Sequence, residues 1–365
     1  MGSPAVSIVM AVFNGEAFLA EAVESILQQT LTDFEFVIID DGSTDQTPGI
    51  LSDYAKRDSR VRVFTQQNKG RAESLNLGID LARAPLIARM DADDIAFPQR
   101  LEQQFEFMNA HPEIGLLGTA IELVTPTRRR LGVDIPPLKD GELRTTMAQR
   151  NPFRHPTVIM RKETVLASGG YRKPLLDADD YDLWLRMAER TQIANLPQIL
   201  VSYRVHANQV SVRNMTHQAL CCGAARAAAS ARARGLPDPL RGGEEITPQF
   251  VRGLGLKDEE IRRDAVAAHL HWMGLLGDDY PDAALELIDH LLHSPDSASV
   301  GRAAVASASL KAASIHFRQR RFATAFASAG RGVLAQPIEA VRIAKMAIAR
   351  RVRAFSTRAF RQNAA

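Results

Sequence analysis

Cysteine is almost absent from this 365-residue chain, which has only the adjacent pair Cys221 and Cys222. Such a pair provides neither a disulfide framework nor a four-cysteine zinc site, and this suits a reducing compartment. Long apolar runs are also lacking, so no segment is expected to span a bilayer. No leader-like segment precedes the first strand-like run at Val6, so we expect no secretory signal and a cytoplasmic protein.

The chain also lacks a strong excess of charge, because its 45 Lys and Arg residues nearly balance its 42 Asp and Glu residues. The small basic excess lies in the last quarter of the chain, and no aromatic residues are interleaved with it, which argues against nucleic-acid binding. The apolar fraction of 45% is that of an ordinary globular protein. The length allows one large domain and a smaller one.

The first half of the chain alternates short apolar runs with amphipathic segments, as is typical of a parallel α/β sheet. The apolar runs predict buried strands over residues 6–12, 34–39, 61–65 and 85–90. From about residue 215 the strand signals stop, and alanine and arginine dominate. We therefore predict an α/β domain over residues 1–214 and an all-α region over residues 215–365.

Two segments of the helical region share one pattern that resembles the second helix of a tetratricopeptide-type hairpin. The matching positions are Tyr280, Ala283, Leu287, Leu291 and Pro295 in one copy, and Phe322, Ala325, Ala329, Val333 and Pro337 in the other. Two copies are fewer than such arrays need, so a plain helical bundle is an equal alternative. The tail from Val341 combines one apolar helical face with many basic residues, which predicts either peripheral contact with an anionic membrane or a solvated terminal helix.

Polar or glycine-containing segments follow the predicted strands, where an open α/β sheet binds its ligands. The backbone of Ala11, Val12 and Phe13 ends the first strand and could line a nucleotide base. Asp41 follows the second strand and could accept hydrogen bonds from a base or a ribose. Arg71 follows the third strand and suits a diphosphate.

The fourth predicted strand runs into three carboxylates within four residues, Asp91, Asp93 and Asp94. Like charges this close repel and raise one another's pKa, and a divalent cation among them removes the conflict. Magnesium prefers one or two carboxylates together with phosphate oxygens. The cluster therefore predicts a metal-assisted reaction on a phosphorylated substrate.

Several longer motifs accompany these residues, including Ser-Ile-Val-Met-Ala-Val-Phe-Asn at 7–14, Phe-Val-Ile-Ile-Asp-Asp-Gly-Ser-Thr-Asp at 36–45, Met-Asp-Ala-Asp-Asp at 90–94 and Ala-Asp-Asp-Tyr-Asp-Leu-Trp-Leu-Arg at 178–186. On these motifs, residues 5–210 resemble family 2 of the inverting nucleotide-sugar glycosyltransferases. The resemblance implies the GT-A nucleotide-sugar-binding fold, a mixed, mainly parallel sheet with helices on both faces, followed here by the all-α C-terminal region.

The resemblance also implies roles for residues of the donor side. Asp41 holds uracil or an equivalent base, with the backbone of residues 11–13 beside it. Arg71 meets the nucleotide diphosphate, and Asp91 and Ala92 contribute to the nucleotide-sugar site.

For the metal, Mn²⁺ or Mg²⁺, the resemblance implies Asp93 as the direct ligand and Asp91 as its partner. His206 is a further candidate ligand of the metal or the diphosphate. Its support would have to come from its distance to Asp93 in the fold.

Asp180 matches the family's catalytic base, and inversion needs one carboxylate to deprotonate the acceptor hydroxyl opposite the leaving nucleotide. The competing interpretation is an N-cap or first-turn acid of the following helix, a role open to Asp179 as well. Asp179 and His155 are candidates for the acceptor side. A structural histidine in a proline-bounded loop is an equal interpretation of His155.

The expected function is transfer of a sugar from a nucleoside-diphosphate donor to a hydroxyl of a saccharide or lipid-linked acceptor. The expected donor is a UDP-sugar, and the expected process is bacterial surface-polysaccharide synthesis. A sugar-phosphate nucleotidyltransferase is disfavoured, because residues 13–18 lack a glycine-rich, arginine-bearing loop. The alternative from another class is a catalytically silent module of glycosyltransferase type that recruits partners through its helical region.

Overall fold

Two compact units divide the chain, the first of Met1–Val205 with Leu220–Leu256 and the second of His206–Ala219 with Lys257–Ala365. The units alternate along the sequence, so the domain boundary expected after residue 214 stays a prediction. The basic tail expected over residues 341–365 lies outside the described residues, as does Pro295. The structure is a computed structural model, and it describes residues 3–175, 178–206, 209, 214–276, 280–293 and 302–337.

The N-terminal elements alternate strand and helix, as the apolar runs predict. They are β1 (Val6–Val12), α1 (Leu19–Leu27), β2 (Phe34–Asp40), α2 (Thr47–Arg57), β3 (Val61–Thr65), α3 (Arg71–Leu81) and β4 (Leu86–Arg89). Strand β1 pairs in parallel with both β2 and β4, and β2 pairs in parallel with β3. Because parallel strands end at the same edge of a sheet, the segments that follow these four strands meet there.

The sheet continues with strands of mixed direction. The further elements are β5 (Ile95–Ala96), α4 (Arg100–Ala110), β6 (Ile114–Val124), β7 (Arg130–Asp134), α5 (Asp140–Met147), β8 (Ile159–Arg161), α6 (Lys162–Ala167), α7 (Asp179–Ala188) and β9 (Gln192–Arg204). Among the described residues the strand order is β3-β2-β1-β4-β8-β6-β9-β5, with β7 paired to β6. Strand β9 runs parallel to β6, whereas β8 runs antiparallel to both β4 and β6. The mixed, mainly parallel sheet predicted from the sequence is confirmed.

From Met215 onward the secondary-structure elements that the structure describes are all helices, which confirms the predicted all-α C-terminal region. The helices are α8 (Met215–Ala233), α9 (Pro248–Gly253), α10 (Asp258–Leu276), α11 (Pro281–His293), α12 (Arg302–Arg318) and α13 (Phe322–Ala335). The two repeated segments lie on α11 and α13, each packed against the helix before it. A tetratricopeptide-like arrangement stays a prediction. No described helix combines the length and the apolarity that crossing a membrane requires.

Candidate active site

The acidic turn, residues 91–94, joins β4 to β5 at the carboxyl edge of the parallel strands. Asp91 Oδ1 accepts a hydrogen bond from Arg89 Nη2 at 2.5 Å. Asp94 is buried, and its Oδ1 accepts a hydrogen bond from the Arg204 backbone N–H at 2.7 Å. Burial and the charges of Asp93 and Asp91 raise the pKa of Asp94 well above its usual range. Carboxylates are thus crowded in a turn where Asp94 is buried and Asp91 and Asp93 are partly exposed.

The donor set of the acidic turn fits a divalent cation. The second carboxylate oxygen of Asp94 is buried and has no hydrogen-bond partner among the described residues. Burial raises the pKa of Asp91; the charge of Arg89 opposes this effect, and that of Asp93 adds to it. Within the described parts of the chain, no group of three or more His, Cys, Asp or Glu side chains forms a complete metal site. An arrangement of one or two carboxylates that leaves places for phosphate oxygens is the one that Mg²⁺ prefers.

The predicted ligand His206 begins the second compact unit, whereas Asp91 and Asp93 belong to the first. Its role as a ligand of the metal or the diphosphate stays a prediction.

Asp41, the predicted base-binding residue, lies where β2 ends and uses its carboxylate to hold the loop before α3. Its Oδ1 accepts hydrogen bonds from Gln66 Nε2 at 2.7 Å and from the Lys69 backbone N–H at 2.9 Å. Its Oδ2 accepts one from the Gly70 backbone N–H at 2.8 Å. Gly70 has φ +93°, a left-handed conformation that favours glycine at this turn. The sequence did not reveal this internal role of Asp41.

The end of β1 lies beside Asp41, as the sequence predicts for a base-binding edge. The Asp41 backbone N–H donates a hydrogen bond to the Val12 carbonyl at 2.9 Å. Ala11 is partly buried, and the Phe13 side chain is about half exposed, at 51%. Their part in holding a nucleotide base stays a prediction.

Arg71, at the first position of α3, forms a forked ion pair with Asp179, at the first position of α7. Arg71 Nη2 lies 2.5 Å from Asp179 Oδ1, and Arg71 Nε lies 3.2 Å from Asp179 Oδ2. Burial by itself lowers the pKa of Arg71, but the negative charges of Asp179, Asp180 and Asp91 outweigh this effect and raise the pKa above the ordinary value. The residue predicted to meet the diphosphate therefore lies in the field of both the acidic turn and the N-terminus of α7.

Asp180, the predicted base, adjoins this ion pair and is partly exposed. Its Oδ2 accepts a hydrogen bond from Asn151 Nδ2 at 2.9 Å, and its Oδ1 accepts one from the Tyr181 backbone N–H at 2.7 Å. Burial and the charge of Asp179 raise the pKa of Asp180 to about 6, against the lowering effects of Arg71 and these hydrogen bonds. A carboxylate with this pKa is mostly ionised at neutral pH and is still basic enough to accept a proton.

His155 belongs to a buried aromatic cluster near these acids. Its Nε2 lies 2.8 Å from the Tyr171 hydroxyl, and its ring packs edge-on against Trp184 with centroids 6.0 Å apart. Burial, with the charges of Arg89 and Arg71, lowers the pKa of His155 well below the usual range, so the imidazole is neutral at pH 7. The cluster is consistent with the structural interpretation of His155, and its acceptor-side role stays a prediction.

The structure thus adds site neighbours that the sequence analysis did not select, namely Arg89, Asn151, Tyr171 and Arg204. Arg89 left a usable signal, because it is the only charged residue in an otherwise apolar predicted strand. Asn151 and Arg204 left none, since each meets the site only through long-range packing.

Comparison with known proteins agrees with this architecture. The family model described as glycosyl transferase family 2 matches residues 7–168. The amylovoran biosynthesis glycosyltransferase AmsE of Erwinia amylovora is 34% identical over 212 residues, which cover 57% of this chain and 79% of AmsE. The O-antigen biosynthesis glycosyltransferase WbnJ of Escherichia coli is 32% identical over 208 residues, which cover 55% of this chain and 80% of WbnJ.

Two solved structures share the fold at low sequence identity. The mannosyltransferase PcManGT from Pyrobaculum calidifontis, in complex with GDP-Man and Mn²⁺, matches with a TM-score of 0.51 and 16% identity, covering 92% of this chain and 89% of its own. Residues 1–349 of S. aureus TarS, in complex with UDP-GlcNAc, match with a TM-score of 0.50 and 17% identity, covering 89% and 90%. The predicted GT-A fold is confirmed, and this chain belongs to glycosyltransferase family 2.

Proposed function

We propose that this protein is a metal-dependent inverting glycosyltransferase that moves a sugar from a nucleoside-diphosphate donor to a hydroxyl of a saccharide or lipid-linked acceptor. A UDP-sugar is the favoured donor. One observation carries the proposal. Asp180, whose pKa is raised to about 6, adjoins the Arg71–Asp179 ion pair, and Arg71 is in the field of Asp91 of the acidic turn. The proposed catalytic base and the proposed diphosphate site are therefore neighbours.

The donor would lie along the carboxyl edge of the sheet, its base beside Asp41 and residues 11–13 and its diphosphate near Arg71. Asp91 and Asp93 would hold the divalent cation, which when bound offsets negative charge on the diphosphate. Relatives with the same fold support this assignment, since solved complexes of TarS and PcManGT contain UDP-GlcNAc, and GDP-Man with Mn²⁺.

In the proposed reaction, the Asp180 carboxylate accepts the proton of the acceptor hydroxyl as that oxygen attacks the anomeric carbon of the donor sugar. The new bond joins the acceptor oxygen to the anomeric carbon, and the bond from that carbon to the diphosphate oxygen breaks on the opposite face. The nucleoside diphosphate leaves with the bonding electrons, and Arg71 stabilises its charge. One displacement of this kind inverts the anomeric configuration.

The acceptor is assigned from the relatives, since AmsE and WbnJ are named for amylovoran and O-antigen biosynthesis. We therefore assign this protein to the synthesis of a bacterial surface polysaccharide in the cytoplasm. The basic residues from Val341 onward would make peripheral contact with the inner face of the membrane.

Hydrolysis and binding of radiolabelled UDP- and GDP-sugars, with and without Mn²⁺, test the proposed function. We expect Asp180→Asn to lower turnover about 100-fold or more while donor binding stays near normal, because the base acts only in the transfer step. We expect Asp93→Ala to lose Mn²⁺-dependent donor binding. The exposed Asp80→Asn, on α3, is the matched control and should behave like the parent protein.

Three results would each contradict a part of the proposal. If no nucleotide sugar is bound or hydrolysed, the silent binding module becomes the better description. If Asp93→Ala binds the donor as well as the parent protein does in Mn²⁺, the metal assignment is wrong. An equal loss of donor binding in Asp180→Asn would exclude Asp180 as the base.

A further inference from the structure

A buried arginine precedes the acidic turn at the end of β4. Arg89 is 1% exposed, although the rest of this strand is apolar. Its Nη2 donates to Asp91 Oδ1 at 2.5 Å, and its Nη1 donates to the Val9 carbonyl at 3.2 Å and to the Met90 carbonyl. The guanidinium therefore ties the first carboxylate of the turn to the backbone of the central strands.

A second buried arginine reaches the same turn from β9. Arg204 is 2% exposed, its Nε donates to the Asp93 carbonyl at 2.7 Å, and its backbone N–H donates to Asp94 Oδ1. Its Nη2 donates to Glu21 Oε2 on α1 at 2.6 Å, and its guanidinium lies over the Phe18 ring at 4.4 Å. Arg204 is thus fixed at both of its ends, by the turn and by α1.

These contacts offset the electrostatic repulsion between the carboxylates of the acidic turn. Three carboxylates within four residues repel one another most strongly where water is scarce, and the repulsion favours an open turn. A fixed guanidinium at Asp91 offsets part of this repulsion, and a donor to the Asp93 carbonyl fixes the backbone between the carboxylates. Burial of both arginines makes the contacts rigid, because neither side chain can relax into solvent.

We propose that Arg89 and Arg204 are positioning residues that hold the acidic turn in its donor-binding conformation before a cation or a nucleotide arrives. The inference rests on the proposed function for its consequence in catalysis, but the conformational part concerns the ligand-free protein. Arg89 acts through the Asp91 carboxylate, and Arg204 acts through the backbone of Asp93.

The first test measures amide hydrogen exchange across residues 91–95 in the ligand-free, full-length protein. We expect faster exchange there in Arg89→Met and in Arg204→Met than in the parent protein. The matched control is Arg161→Met on β8, a partly buried arginine whose side chain donates to the carbonyls of Ile114, Met108 and His111. The control should lower thermal stability without changing exchange in the acidic turn.

The second test titrates UDP and GDP, each with Mn²⁺, into the folded fraction of each variant. Partners of metal-ligating groups typically contribute about 10- to 100-fold to affinity, and we expect a loss of this size in Arg89→Met and Arg204→Met but not in Arg161→Met. Arg89→Lys and Arg204→Lys keep the charge and one donor, so they should recover part of the affinity. They also serve as the readout if a methionine variant does not fold.

The two tests separate the positioning role from the proposed function. Unchanged exchange over residues 91–95 in both arginine variants would overturn the positioning role, whatever the nucleotide titrations show. Faster exchange with unchanged nucleotide affinity would overturn it as well, because the arginines would then be only structural. If the parent protein binds neither nucleotide with Mn²⁺, the proposed function fails, and with it the catalytic consequence, while the exchange data still decide the conformational part.

Discussion

Asp179 and Asp180 are adjacent in sequence, yet their surroundings differ. Asp179 is fully buried, and both of its oxygens accept from Arg71. Asp180 is partly exposed, and its Oδ2 accepts from the Asn151 side chain at 2.9 Å. Neighbouring carboxylates in unlike environments are how proteins separate a structural acid from a reactive one. Asp179 holds Arg71, and we propose that Asp180 carries out the proton transfer.

The pH profile of kcat/KM should show this division. The base must be ionised, so the rate should fall as pH drops through the pKa of Asp180, about 6. Removing the negative charge of Asp179 takes away a cause that raises this pKa, so Asp179→Asn should move the acid limb down by about one pH unit. The hydrogen bond from Asn151 lowers the pKa of Asp180, because it stabilises the ionised carboxylate. Asn151→Ala removes this bond and should therefore move the acid limb to higher pH.

Steady-state rates across the acid range at acceptor concentrations well below KM would measure both shifts. The absence of any limb near pH 6 in the parent protein would contradict the assignment of Asp180. Shifts of the two variants in the same direction would contradict the electrostatic explanation.

At the scale of elements, α3 positions Arg71 because the helix packs very closely on β1. A Cβ atom added to Gly78 of α3 would lie 2.5 Å from Val9 Cγ1 and 3.5 Å from Ile39 Cγ1. Only a residue without a side chain allows this approach. The first residue of the same helix is Arg71, so the depth of the packing sets where its backbone lies, and the ion pair with Asp179 orients its guanidinium.

Gly78→Ala should therefore destabilise the protein by about 1–3 kcal/mol, since overpacking shifts the helix off the sheet. Gly141→Ala on α5 is the control, because nothing lies within 4 Å of an added Cβ there. The same change at that position should stabilise by about 0.4–1 kcal/mol through the unfolded state. Urea unfolding of both variants would measure the difference, and equal stabilities would disprove the close-packing argument.

At the scale of the whole molecule, the segment Leu220–Leu256 belongs with the first compact unit. Asp238 Oδ2 accepts from Arg172 Nη2 at 2.7 Å and from Arg232 Nη1 at 2.8 Å. Burial disfavours the charge of Asp238, but the hydrogen bond from Arg172 and the nearby positive charges lower its pKa to about 2. A shared carboxylate between two arginines thus joins this segment to the loop that carries Arg172.

Two fragments would test the domain boundary. We expect residues 1–256 to fold cooperatively and to bind UDP or GDP with Mn²⁺, because that fragment contains the whole first unit. Residues 1–214 lack the Asp238 contacts and the buried apolar residues of the segment Leu220–Leu256, and should be less stable by several kcal/mol through lost apolar burial. Thermal unfolding by circular dichroism would measure this. Equal stability of the two fragments would instead favour the boundary after residue 214.

The sequence by itself determined the order of the strands and helices in the first half and the places where polar groups follow the strands. Strand β1 covers residues 6–12 and β3 residues 61–65, as predicted; β2 is one residue longer than predicted, and β4 is one residue shorter at each end. This succeeds because apolar runs and the turn residues between them are local signals. Parallel pairing then brings the ends of these strands to one edge, so Asp41, Arg71 and Asp91 could be expected together.

Only the tertiary structure decided which partners these residues have. Arg71 meets Asp179 across 108 residues of chain, and Arg204 meets the Asp93 carbonyl across 111. Asp41 uses both of its oxygens on the loop before α3, and Arg89 turns a buried strand position into a fixed charge at Asp91. Contacts of this kind depend on how strands and helices pack at long range, and no local pattern of residues encodes that packing.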